Sequence, residues 1–172
     1  MRTPRVYPDT SVLGGCFDRE FAVWSLALME DFRAGRFIAV LSDLLAAELE
    51  RAPGPVRALY EELRILAPVP QPVTSEAGEL ADRYAAHEIV PPRFRNDMLH
   101  IALATVADAD VLVSWNFRHV VRFDKIRAFN AVNLEAGYRP FGHPFSARGS
   151  HLWKGIRVSG RPLRQRPSSH WN

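Results

Sequence analysis

A chain of 172 residues with 47% hydrophobic and 24% charged side chains has the balance of a globular protein and the length for one domain with a real core. Its single cysteine, Cys16, excludes an internal disulfide and a cysteine-built zinc site, which fits a reducing, cytoplasmic setting. No apolar run is long enough to span a bilayer and the N-terminus leads directly into a strand, so neither a membrane span nor a signal peptide is expected.

The net charge of +3 hides an asymmetry. All 19 acids lie at or before Glu135, where they outnumber 15 Lys and Arg, so residues 1–137 carry −4; residues 138–172 hold seven bases and no acid. An acidic body and a basic tail are separate features. The basic overall balance therefore does not argue for a broad nucleic-acid-binding face on the body.

In chain order, Arg5-Val6-Tyr7-Pro8 reads as a first strand that stops at Asp9, followed by Thr10 and Ser11. On local pattern alone, Asp-Thr-Ser is a turn or helix cap. At the carboxyl end of a strand in an open α/β sheet, the same aspartate lies in the ligand crevice. Gly14 and Gly15 then permit close backbone approach. Asp18 is expected to cap a helix whose core stripe is Phe17, Phe21, Trp24, Leu28 and Phe32, stopped at Gly35. Phe37 to Leu41 is a continuous apolar run suited to a strand buried on both faces, which completes a βαβ unit.

Ser42 is placed as the N-cap of the next helix, with Asp43 at its positive end. On that helix Glu48 shares a face with Leu44, as a residue of the core boundary or of a site. Pro53-Gly54-Pro55 breaks the chain before a helix carrying Val56, Leu59, Tyr60 and Leu63. Arg64 to Ala67 reads as a short third strand, and Pro68, Pro70 and Pro72 as a loop leading to a cap at Thr74 or Ser75. A helix over 76–87 follows, and Pro91-Pro92 ends the linker after it. Asn96-Asp97 opens an alanine-rich helix with Met98, Ile101, Ala102 and Thr105 on one face, Asp97 lying where the helix dipole favours a carboxylate. Val111 to Trp115 is the next buried strand and Asn116 stands at its end. Asp124 is expected to cap a last helix with Ile126, Phe129, Val132 and Ala136, closed by Gly137.

Four β-then-α alternations predict a three-layer α/β/α domain with a mostly parallel central sheet over residues 1–139. A fifth strand is due next, but residues 139–145 make a poor one. From 140 to 172 the chain is an atypical basic tail with no helical or strand period. Its Arg148, Lys154, Arg157, Arg161, Arg164 and Arg166, interleaved with Trp153 and Trp171, suit single-stranded RNA or belong to an extension without a fold.

In a parallel sheet with helices running back, strand C-termini and helix N-termini share one edge, so Asp9, Glu48, Asp97 and Asn116 are expected on one rim. Clustered carboxylates repel unless a counter-ion is present. A hard divalent cation supplies it: Mg²⁺ takes one or two carboxylates and fills its shell with water and phosphate. That combination suits metal-assisted attack of water on a phosphodiester. Arg93 and Arg95, ahead of Asp97, and Arg118 after the strand are candidates for a phosphate backbone, which the resemblance given below makes that of RNA. His100, one turn beyond Asp97, is read as a packed, hydrogen-bonded histidine rather than a ligand, because an oxygen-rich site selects hard ions. Trp115 is read as core. A phosphatase-like use of Asp9 as nucleophile would want a carboxylate where Ser11 stands.

Four stretches, Pro8-Asp9-Thr10-Ser11-Val12-Leu13, Ala47-Glu48-Leu49, Asn96-Asp97-Met98-Leu99-His100-Ile101-Ala102 and Leu112-Val113-Ser114-Trp115-Asn116-Phe117-Arg118-His119, resemble the PIN-domain family. They are most similar to the VapC-like toxins of bacterial toxin–antitoxin pairs, over residues 5 to about 139. The resemblance implies a Mg²⁺- or Mn²⁺-dependent endoribonuclease that dimerises and is inhibited by a cognate VapB-like antitoxin. It implies metal-binding roles for Asp9, Glu48 and Asp97, and places Asn116 where many members have a further Asp. Thr10 and Ser11 would orient the ligating carboxylates or satisfy the turn. The alternative is a catalytically weak or decayed module that binds RNA or an antitoxin without cutting, motivated by Asn116 and the atypical tail.

Overall fold

The computed structural model describes residues 2–67, 71–116, 120 and 122–140. Among these residues three strands, β1 (Arg5–Pro8), β2 (Ile38–Ala39) and β3 (Val111–Val113), form one all-parallel sheet in the order β2-β1-β3. Around it pack α1 (Thr10–Gly15), α2 (Ala22–Arg33), α3 (Asp43–Leu49), α4 (Gly54–Leu66), α5 (Ser75–Ala86), α6 (Arg95–Val106) and α7 (Phe123–Glu135). The fold is the expected three-layer α/β/α sandwich.

Strand alternation divides the core in two. Val6, Ala39, Val111 and Val113 face α1 to α4, joining Val12, Leu13, Leu28, Leu45 and Leu63. Tyr7, Val40 and Leu112 face the other way, onto Leu80, Tyr84, Met98, Ile101 and Phe129 of α5 to α7. Both sheet faces are covered, which is why the strands read as unbroken apolar runs. No helix among the described residues is long and apolar enough to cross a membrane.

Several local expectations need correcting. Of the two local readings of Asp9-Thr10-Ser11, the helix cap is the one observed, Asp9 being the N-cap of α1. The helix expected from Asp18 starts at Ala22, and Asp18 instead holds a turn, accepting from the Glu20 amide at 2.7 Å. Phe17 therefore sits in a connector and is 57% exposed, outside the core stripe it was assigned to. Arg64 to Leu66 are the last turn of α4 and Ala67 its C-cap, not a third strand. The extra parallel pairing comes from Gln71, bridged to Ser42. Asp124 lies inside the first turn of α7, bonded to Arg122 at 3.0 Å, and does not cap it. Ser42 and Thr74 do cap α3 and α5, each accepting an amide at 3.2 Å. Arg139, at the domain edge, pairs with Asp108 and Asp110. The tail from residue 141 lies outside the described residues.

One close approach requires glycine. A Cβ on Gly15 would stand 2.6 Å from Ser25 Oγ and 2.7 Å from Trp115 Nε1. Only a bare Cα lets Trp115 reach across α1 to donate to Ser25 at 2.8 Å. Trp115 is 7% exposed and stacks on Phe21, so it is a core residue as read from the sequence.

Candidate functional site

With β1 central and its neighbours β2 and β3 added on opposite sides, the chain reverses its winding direction between β1 and β3. Ligands of open α/β folds bind at such a switch point, beyond the strand carboxyl ends. Asp9 follows β1 and Asn116 follows β3, so the two residues flank this crevice from the backbone outward.

Asp9 continues the ladder through its amide, which donates to Val113 O at 3.0 Å. Its side chain turns back to cap α1, accepting from the Ser11 amide at 3.0 Å and the Ser11 hydroxyl at 2.5 Å. Ser11 Oγ in turn accepts from the Trp115 amide at 2.8 Å. One hydroxyl therefore ties the end of β3 to the start of α1. Asp9 is 7% exposed. Burial pushes its carboxyl above the usual carboxylate range, opposed by the hydroxyls of Ser11 and Ser114 and by the electrostatic effect of His100.

Glu48 approaches from α3. Its Oε2 accepts from Thr10 Oγ1 and meets His100 Nε2 at 3.0 Å, while Oε1 accepts from Asn96 Nδ2 at 3.1 Å. These donors hold its carboxyl down at about 2, the His100 bond contributing most and burial opposing it. Asp97, in the first turn of α6, accepts from Asn116 Nδ2 at 3.1 Å. Asp9, Glu48 and Asp97 are thus each fixed by hydrogen bonds of their own. Thr10 joins the Asp9 turn to Glu48, Asn96 joins Glu48 to the start of α6, and Asn116 joins Asp97 to the end of β3.

The roles of Thr10 and Ser11 divide. Ser11 satisfies Asp9, whereas Thr10 holds Glu48. His100 is packed, 5% exposed and hydrogen-bonded at both nitrogens, as its sequence context suggested. Its contact with Glu48, and the Tyr7, Ser42 and Ser114 side chains behind the rim, were not read from the sequence. The available signals were the one-turn spacing of Asp97 and His100 and the strand alternation that turns Tyr7 toward α6. The two arginines before Asp97 are exposed, but Arg95 is paired with Asp82 and Arg93 lies over Phe94 at 4.8 Å. Arg118 lies outside the described residues.

The donor set is carboxylate, amide and hydroxyl oxygen, which fits a hard divalent cation. Among the described residues no three His, Cys, Asp or Glu side chains are placed together closely enough to hold a metal ion. The requirement of Mg²⁺ is smaller, one or two carboxylates with water and phosphate completing the octahedron. Among those same residues no Lys or Arg is ion-paired with Asp9 or Glu48, and the partner of Glu48 is His100. No protein-family model, curated protein or solved structure matches this chain.

Proposed function

We propose that this chain is a Mg²⁺- or Mn²⁺-dependent endoribonuclease of the PIN type, acting as the toxin of a toxin–antitoxin pair. The observation that carries the reading is the network linking Asp9, Glu48, Asp97 and Asn116 at the carboxyl ends of β1 and β3, built from oxygen donors. Asp9, Glu48 and Asp97 would hold the cation, and Asn116 would contribute its amide oxygen once turned from Asp97. A bound cation supplies an activated water and neutralises charge on the scissile phosphate.

The protein's own part is positional. Ser11 fixes Asp9, Thr10 and His100 fix Glu48, and the dipole of α6 favours an ionised Asp97. Arg93 and Arg95 flank the entrance, where an RNA backbone would exchange the Arg95–Asp82 pair for phosphate. Replacing an Asp by Asn at position 116 lowers the negative charge of the rim and favours one cation over two. An antitoxin segment and a second copy of the chain are the partners this reading predicts.

The test is cleavage of total and structured RNA with Mg²⁺ or Mn²⁺, comparing the natural chain with Asp9→Asn and Asp97→Asn. Loss of cleavage and of growth inhibition in both, with circular dichroism unchanged, is the expected result. Full cleavage by both variants would refute it. A second reading, a module that binds RNA or an antitoxin without cutting, is favoured by the Asn116–Asp97 hydrogen bond, which occupies an oxygen that a cation would need. RNA binding that is equal in EDTA and Mg²⁺, with no cleavage, selects that reading.

A further inference from the structure

Behind the rim runs a hydrogen-bonded chain that returns to the helix it starts from. Ser42 caps α3, and its Oγ lies 2.7 Å from the Tyr7 hydroxyl of β1. Tyr7 Oη lies 2.8 Å from His100 Nδ1 of α6, and His100 Nε2 lies 3.0 Å from Glu48 Oε2, back on α3. Ser42 and Tyr7 are fully buried and His100 is 5% exposed. A second buried network, Tyr84–Asn133–Thr105, joins α5, α7 and α6 on the same side of the sheet.

The chain has a determined polarity at its functional end. An ionised Glu48 offers only acceptors, so His100 Nε2 must carry a hydrogen. Burial pushes the Tyr7 phenol up, so its hydroxyl keeps its proton and braces the imidazole at Nδ1. Ser42, whose Oγ already accepts from the Leu45 amide at 3.2 Å, has its own hydrogen free for Tyr7. The imidazole is thus held at both ring nitrogens, by β1 on one side and α3 on the other.

We propose that His100 is the positioning residue for Glu48: with Thr10 it pins Oε2, leaving Oε1, the oxygen toward Asn96, to meet an incoming cation. Two donors already fill Oε2, whereas the single amide bond at Oε1 is the exposed one. Glu48 would therefore act through one oxygen, and His100 is excluded as a ligand because its Nε2 proton faces the carboxylate. This inference rests on the metal-dependent reading of the site. Partners that orient a ligating side chain change metal affinity by about 10- to 100-fold when removed.

The experiment is Mn²⁺ titration of the full chain, read from the spin-resonance signal of free Mn²⁺, together with the spectrum of ¹⁵N-labelled histidine recorded in chelator. The Nε2–H of His100 should be present and slow to exchange with solvent. His100→Ala should weaken Mn²⁺ binding by about 10- to 100-fold, and His100→Gln, whose amide nitrogen reaches the same point, should restore most of it. A bare Nε2, or equal affinity in His100→Ala and the natural chain, overturns the proposal, as does equal loss in the Ala and Gln variants. Should His100→Ala fail to fold, Thr10→Val removes the other donor to Oε2 and must weaken binding likewise. If the natural chain binds no Mn²⁺, the metal-dependent reading fails by itself, and the histidine spectrum alone decides whether His100 is locked onto Glu48.

Discussion

Replacing Asn116 by Asp probes the rim without any need for RNA. The Asn116 amide donates to Asp97 Oδ2 at 3.1 Å, and Asn116→Asp would set two carboxylate oxygens at that separation. Unit charges so close repel by about 1 kcal/mol in water-like surroundings and about 5 kcal/mol at an effective dielectric of roughly 20. Both side chains are half-buried, and the new Asp can turn outward, which leaves about 2 kcal/mol of repulsion. Loss of the hydrogen bond to a charged acceptor adds about 1 to 2 kcal/mol. The total, about 3 kcal/mol, lowers the melting temperature by roughly 10 °C for a domain of this size. The assay is thermal unfolding in EDTA and in millimolar Mn²⁺. A cation that sits between the two carboxylates turns repulsion into attraction, so most of the loss should disappear in Mn²⁺, through preferential binding to the folded state. A loss of the same size in EDTA and Mn²⁺ would show that position 116 does not face a cation. No loss in EDTA would show that Asp97 and residue 116 are not in contact.

Other expectations follow from the same geometry. Asp9→Asn keeps an acceptor for Ser11 and removes a buried charge, so at pH 7 its melting temperature should equal or exceed that of the natural chain. The gap should close in acid, where the raised carboxyl of Asp9 takes up a proton and the destabilising charge is lost. Glu48 behaves oppositely. Held at about 2 against an ordinary 4.5, it stabilises the fold above pH 4.5 and loses that contribution as the pH falls toward 2. The full effect is up to about 3 kcal/mol, and denaturant titrations of Glu48→Gln across this interval should give the flatter profile. Gly15→Ala forces a methyl against Ser25 and the Trp115 indole, and should cost about 1 to 3 kcal/mol in chemical denaturation.

Much of the site was legible because its residues stand where local signals change. Asp9 ends an apolar run, Asp97 opens an alanine-rich helix, and Asn116 follows a second apolar run, so each marks a strand end or helix start from the sequence alone. Glu48 was legible only as a carboxylate on an apolar stripe, a position equally suited to a core boundary. Its hydrogen-bond donors come from distant elements, since Thr10 belongs to α1, Asn96 and His100 to α6, and no local pattern joins them. Phe17 failed because helical spacing continues through residues 17 to 21 while the backbone there turns to link α1 and α2. Arg64 to Leu66 failed because a short apolar run fits either period, and α4 had begun early enough to absorb it.

By itself the sequence determined the alternation of strand and helix, the double burial of the strands, and the strand ends and helix start at which Asp9, Asn116 and Asp97 stand. Those properties depend on apolar periodicity and cap chemistry, which act within a few residues. Only the tertiary structure decided that β1 is central, that Trp115 passes Gly15 to reach Ser25, and that Tyr7 and His100 close a chain onto Glu48. Such contacts join residues dozens of positions apart. They exist only once the helices have packed on the sheet and excluded water from the groups that must then satisfy one another.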